Sequence, residues 1–252
     1  MARRQPEGPP PPPVVFRVRV HYAKRGRLRF TSHRDFARAL ERALRRAEVP
    51  IGFSAGFSPH PKISYVGAAP TGVSSDAEYL ELGLARTMDP DELKARLDGA
   101  LPEGLDIIDI VPAGPGSLAE RIQASSWHIE LTGATGITEA AAAFLSAEVV
   151  LVTRLTKDGR RELDARAPIV SLRVSGGSET GDRAILDLVV RQATPSIRPD
   201  DVLAALYSLG ATEASEPARA TRLAQGPLET DGSVGDPLAT DRQAAAAISL
   251  SH

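Results

Sequence analysis

Apolar and polar residues alternate along residues 14–23. Val14, Phe16, Val18, Val20 and Tyr22 fall on one face, and Arg17, Arg19 and His21 on the other. A period of two predicts a strand with one face in a core and one in water. A turn over 24–26 and a short extended piece over 28–30 follow. The period then becomes helical over 33–48. Phe36, Leu40, Leu44 and Ala47 form an apolar stripe, and Arg34, Arg38, Arg42 and the Arg45/Arg46 pair form a basic one. Ser32 or Thr31 is placed to cap this helix, and Pro50 ends it. Extended segments are expected near 63–66 and 78–85. A second helix starts near Asp89 with Pro90 at its first position and runs to about 100, and a strand over 105–111 closes the set.

The order β–α–β–β–α–β is the ferredoxin-like pattern. The second half repeats it imperfectly. Strands are expected over 127–132, 148–155, 161–165, 169–174, 184–191 and 218–223. Helices are expected over 137–146 and from Pro199 to Leu209, where Gly210 stops the second. Lys157, Asp158 and Gly159 make a hairpin turn. The expected fold class is therefore α+β: two related ferredoxin-like units in tandem, built on mostly antiparallel sheets. The units span 14–116 and 125–225. Residues 1–13 form a Pro-rich arm and 226–252 a Gly-, Pro- and Ala-rich tail, both expected to be disordered.

Hydrophobic residues make up 42% of the 252 residues, enough for proper cores, while aromatics are only 4%. There is no cysteine, so the chain cannot supply disulfides or thiolate ligands for zinc or an iron–sulfur cluster. The start of the chain has prolines in place of an apolar leader core. No apolar run approaches the roughly 18–20 residues of a membrane span. Both features lead to the expectation of a cytoplasmic protein without a membrane partner.

Charge changes the picture most. The net charge is −2, yet residues 14–64 hold twelve Lys or Arg against three acids, a net of +9. Such separation suggests a polyanion surface, and RNA is the expected partner. The competing reading is a basic segment that pairs with the acidic remainder inside the fold.

The most distinctive local sequence is Gly52-Phe-Ser-Ala-Gly-Phe-Ser-Pro-His-Pro-Lys62. Proline on both sides of His60 holds it in a stiff, extended loop. A presented His60 and Lys62 suit anion contact or proton transfer; the plainer reading is a rigid connection plugged into the core by Phe53 and Phe57. Histidine with lysine and tyrosine can cleave RNA without metal, which makes His33, His60 and Lys62, with Tyr65, the candidates for catalysis. His21, His33 and His60 match no zinc spacing, and no phosphate-loop or dinucleotide fingerprint is present. No cofactor is expected. The anion-binding set is Arg17, Arg19, Arg34, Arg38, Arg42, His60 and Lys62.

Three stretches together carry a family resemblance: residues 28–47, Gly56-Phe-Ser-Pro-His-Pro-Lys-Ile-Ser64, and Pro70-Thr-Gly-Val-Ser-Ser-Asp-Ala-Glu-Tyr79, with Thr156-Lys-Asp-Gly-Arg-Arg-Glu-Leu-Asp-Ala-Arg166 in the second half. They resemble the radical-SAM-associated (radical-SAM-linked) family, a bacterial domain of unknown function, over residues 14–223. The resemblance implies association with a radical SAM protein, for which this cysteine-free chain would be an accessory subunit. Three functions follow as expectations. The first is an accessory RNA-binding module, for RNA of the tRNA or rRNA class, acting with a radical SAM enzyme or RNA-processing machinery. The second is a metal-independent endoribonuclease using His33 or His60. The third is a protein–protein adaptor for a radical SAM enzyme without nucleic acid.

Overall fold

The computed structural model describes residues 11–156, 159–176 and 183–249. It shows a mixed α+β protein with mostly antiparallel strands and six α-helices among the described residues. The chain divides into two compact units. One runs to Glu120 and resumes at Pro237; the other is Arg121–Asp236.

The first unit contains β1 (Phe16–Lys24), a 3₁₀ turn (Gly26–Phe30), α1 (His33–Arg46), β2 (Ile63–Val66), β3 (Ser74–Leu84), α2 (Pro90–Asp98) and β4 (Ile107–Pro112). The four-residue α3 (Leu118–Arg121) leads into the second unit. The strand order is β4-β1-β3-β2, and every pairing is antiparallel. α1 forms where its apolar stripe predicts it. Phe36, Leu40, Ala43 and Leu44 are buried against Val18, Val20 and Leu82 of the sheet, and the Phe36 ring stacks on Tyr22 at 4.6 Å. The Ser32 hydroxyl accepts from the Asp35 amide at 3.2 Å and starts the helix. Glu48, at φ 51°, turns the chain out of it before Pro50. Asp89 caps α2 in the same way, accepting from the amides of Asp91 and Glu92.

The second unit contains β5 (Ala124–Leu131), α4 (Ile137–Ser146), β6 (Leu151–Thr156), β7 (Gly159–Asp164), β8 (Ile169–Gly176), β9 (Ala184–Arg191), α5 (Pro199–Ser208) and β10 (Arg219–Gly226). Its strands run in the order β10-β5-β9-β8, again antiparallel. The two strands that make the sequence repeat imperfect, β6 and β7, form a hairpin of their own. Of the turn expected between them, Lys157 and Asp158 lie outside the described residues.

Three expectations change. The piece over 28–30 is a 3₁₀ turn rather than a strand. The Leu28 amide donates to Arg25 O at 3.1 Å and Thr31 to Leu28 O at 2.9 Å, a tight turn entered through Gly26 at φ +55°. The second face of β1 meets water only in part: Arg17 is exposed, but Arg19 is buried and the His21 ring stacks on Tyr79 at 4.6 Å, and Lys24 at the end of the strand is buried too. Third, the C-terminal tail is ordered through residue 249. Leu228 and Val234 form a bridge, Leu238 is fully buried, and α6 (Ala239–Ser249) belongs to the first unit. Its anchor is the polar Asp241, which is why a reading based on hydrophobic periodicity misses it. Of the N-terminal arm, residues 1–10 lie outside the described residues.

Candidate nucleic-acid interface

The glycine- and proline-rich loop after α1 is tied at its base to β3. The Gly52 amide donates to Gly83 O at 2.7 Å, Lys62 to Gly52 O at 2.8 Å, and Gly83 to Lys62 O at 2.9 Å. This approach leaves no room for a side chain at Gly52, whose Cβ would lie 2.7 Å from Val14 Cγ2. Higher up, Phe53 bridges to Pro61, the Ser54 amide donates to His60 O at 2.8 Å, and the His60 amide donates to Ser54 Oγ at 3.0 Å. The loop is thus a closed finger whose tip turns at Gly56, φ +132°.

The rings of this finger depart from the plug reading, while His60 and Lys62 stand out as a presented loop requires. Neither ring plugs the core: Phe57 is 69% exposed and Phe53 41%. The core of this unit is already filled by the aliphatic side chains of α1, α2 and the sheet. His60 and Lys62 are both exposed. A cavity of about 590 Å³ opens beside the finger, lined among others by Pro12, Pro13, Arg17, Phe53, His60 and Lys62. Three cationic or protonatable side chains therefore meet at one hollow. The acid at this hollow, Glu81, is taken up by Arg17 at 3.2 Å and by Arg19 Nε at 3.3 Å. A neighbouring hollow of about 480 Å³ shares Arg17, Ser64 and Glu81.

Arg19 is removed from the anion-binding set. It is 1% exposed, and its Nη1 donates to both carboxylate oxygens of Asp241 at 2.8 Å while Nη2 donates to the carbonyls of Gly114, at 3.3 Å, and Gly116, at 2.5 Å. Asp241 also accepts from the Gly114 amide at 2.9 Å. A guanidinium with these partners has no donor to spare for a phosphate. Lys24 is likewise turned inward, to the carbonyls of Ala69 and Pro70. Arg25 reaches Asp76 at 2.6 Å and Asp106 at 3.3 Å, and the Asp76 hydrogen bond first of all raises its pKa. His21 Nε2 lies 2.7 Å from Asp76 O, so that nitrogen carries the proton. The stretch 70–79 thus serves to hold basic residues of β1 and the 3₁₀ turn. For Arg19 and Arg25 the basic segment does pair with acids inside the fold, and Lys24 and His21 are taken up by backbone carbonyls.

This pairing does not extend to α1. Arg34, Arg38, Arg42, Arg45 and Arg46 are exposed. Arg38 approaches Asp35 at 3.9 Å and Arg46 donates to Ala100 O. Arg34, Arg42 and Arg45 make no ion pair among the described residues. Sequence reasoning missed the exposed aromatics: Phe53, Phe57 and Phe30, which is 60% exposed and lies beneath the Arg29 guanidinium at 4.7 Å. The available signal, for Phe53 and Phe57, was their place in a Gly- and Pro-rich loop rather than on a helical stripe.

The residues considered for catalysis do not share one hollow. His33, exposed at the start of α1, sets its ring edge-on to Tyr65 at 4.7 Å, whereas His60 and Lys62 line the larger cavity. Burial, and after it the nearby Glu41 charge, pushes the Tyr65 hydroxyl up to about 12. Tyr65 therefore stays protonated at neutral pH and cannot act as a base. The sign of the linkage is definite. Below pH ~10 the phenol is neutral in both the folded and unfolded chain; between there and about 12 only the unfolded chain gives up its proton. Stability should therefore fall across that window, and Tyr65→Phe should lessen the fall, as read from urea midpoints at pH 9, 10 and 11. Identical pH dependence in the two proteins would contradict the assignment. Among the described residues no three His, Cys, Asp or Glu side chains are grouped to hold a metal ion, and no helix is long and apolar enough to cross a membrane.

A family model described as an uncharacterized protein conserved in bacteria (DUF2344) matches residues 17–199. The chain belongs to this bacterial family. The match takes in β1, the arginine stripe of α1 and the Pro-flanked finger of the DUF2344 chain, and stops before β10 and α6. No curated protein matches it. Among solved structures, a crystal form of DyPB from Rhodococcus jostii RHA1 aligns at 14% identity over 89% of this chain and 96% of that one, with a TM-score of 0.22.

Proposed function

We propose that the protein is an accessory RNA-binding module whose first unit carries the contact surface, acting with a radical SAM enzyme or RNA-processing machinery. The observation that carries the RNA reading is the set of outward-facing arginines on α1. The fold pairs off Arg19, Lys24 and Arg25 yet leaves Arg34, Arg42 and Arg45 exposed, with no ion pair among the described residues. Arg17, His60 and Lys62 around the neighbouring cavity add to the same sign of charge. Phosphate contacts of this kind give affinity without reading sequence. The link to a radical SAM enzyme draws its support from the sequence resemblance and from the lack of cysteine, which leaves any cluster to a partner. We read both units as ferredoxin-like. The support is that each, with the β6–β7 hairpin set aside, places its fourth strand beside its first, then the third, then the second.

The test is a binding isotherm for tRNA or an rRNA fragment measured at rising salt. Affinity should fall by about 10³-fold or more between 50 and 200 mM if six or more phosphates are neutralised. Absence of binding at low salt, or affinity unchanged over that range, would remove the proposal.

A further inference from the structure

The basic face alone suits any phosphate backbone, duplex or single-stranded. The exposed rings narrow the choice. Half of the six phenylalanines stand in solvent, and all three of these belong to the first unit's loops beside cations. Phe30 lies under Arg29, and Phe53 and Phe57 sit on the finger that carries His60 and Lys62. An exposed phenylalanine forfeits its burial energy, so two on one finger beside His60 and Lys62 call for a ligand with flat apolar faces and negative charge. Unpaired nucleotides have both. Their bases stack on aromatic side chains, and the phosphates between them meet lysine and arginine. In a duplex the base faces are already stacked on one another and are closed to such rings.

The finger is built for this. Its base is fixed to β3 and its sides are closed by the Phe53–Pro61 bridge and the two Ser54–His60 hydrogen bonds. The backbone that carries the rings is therefore set before a ligand arrives, which lowers the ordering cost of binding. The adjoining cavity of about 590 Å³, with Phe53 on one wall and Arg17, His60 and Lys62 around it, is of the size that takes a small ligand.

Resting on the RNA reading above, we infer that the finger and its cavity form a site for an unpaired stretch of nucleic acid. Phe57 and Phe53 stack bases, and Arg17, Lys62 and His60 hold the phosphates.

The experiment compares the full chain with Phe57→Ala, Phe53→Ala and Phe57→Trp against three fluorescent probes: an unstructured RNA 12-mer, the same strand as DNA, and the RNA in a duplex. Stacking lost from one ring should weaken single-strand binding about 5- to 150-fold. Duplex affinity and thermal midpoint should stay as in the parent, because neither ring is part of the core. Phe57→Trp should keep or strengthen single-strand binding. Equal binding of the DNA strand supports the site, since base faces and phosphates are common to both strands. Equal losses on duplex and single strand, or no loss on either, would overturn it while leaving a salt-sensitive RNA-binding surface on α1 intact. Failure of the parent protein to bind any probe at low salt would overturn both readings and leave an acidic protein surface as the partner.

Discussion

Asp241→Ala is expected to destabilise the first unit by about 3–5 kcal/mol, the cost of leaving one member of a buried ion pair without the other. Both carboxylate oxygens of Asp241 lie 2.8 Å from Arg19 Nη1, and the two residues are 2% and 1% exposed. Glu81 and the carbonyls of Gly114 and Gly116 remain around the guanidinium after the substitution, which places the loss toward the lower end of that range. The Gly114 amide loses its acceptor at the same time. Urea unfolding of the full chain measures the effect. The double variant Arg19→Met/Asp241→Leu should recover much of it, because apolar side chains carry no desolvation penalty. A chain ending at residue 236 should suffer at least as much, since it also loses the fully buried Leu238. An Asp241→Ala protein as stable as its parent would show that α6 is not held in place by this pair.

Reversing the charge of Arg34, Arg38 and Arg42 together should abolish RNA binding at moderate salt. If each contacts one phosphate, removal lowers the slope of log K against log salt by about 2, taking 0.7 per phosphate on a single strand. Three glutamates would add repulsion where three cations attracted. Stability should change little, because all three side chains are exposed and such changes usually move stability by about 0.5 kcal/mol or less each. Arg34→Glu lies in the first helical turn, where negative charge is favourable and offsets the lost Arg38–Asp35 approach. Anisotropy titration with tRNA, alongside a thermal melt, checks both halves. A triple variant that binds like the parent would move the interface off α1.

The composition of α1 shows how much a sequence alone determines. Its apolar stripe chose the buried face and thereby the exposed one, so Arg34, Arg38 and Arg42 had to look outward once Phe36, Leu40 and Leu44 looked in. The same local logic placed β1, α2, α4, β9 and α5, whose periods and caps lie within a few residues of one another. It also placed His60 at the surface, between two prolines that stiffen its own stretch of chain.

Tertiary structure decided what periodicity could not express. Arg17 and Arg19 are two apart on one strand face and look alike in sequence. One is exposed at a cavity, and the other is buried because a carboxylate 222 residues away comes to meet it. Asp241 sits in a small, polar, low-complexity tail whose hydropathy reads as disorder, yet a single buried ion pair and Leu238 dock that tail on the first unit. The plug reading placed at least one of Phe53 and Phe57 inside, where an aromatic ring gains from burial. They stand outside because the core beneath them was already filled by Leu80, Leu82, Leu84 and their neighbours. Hydrophobic pattern specifies which face of an element is buried, since that is a property of neighbouring residues. Which charge finds a partner, and which ring finds no room, depends on residues far apart in the chain and is settled only when they pack.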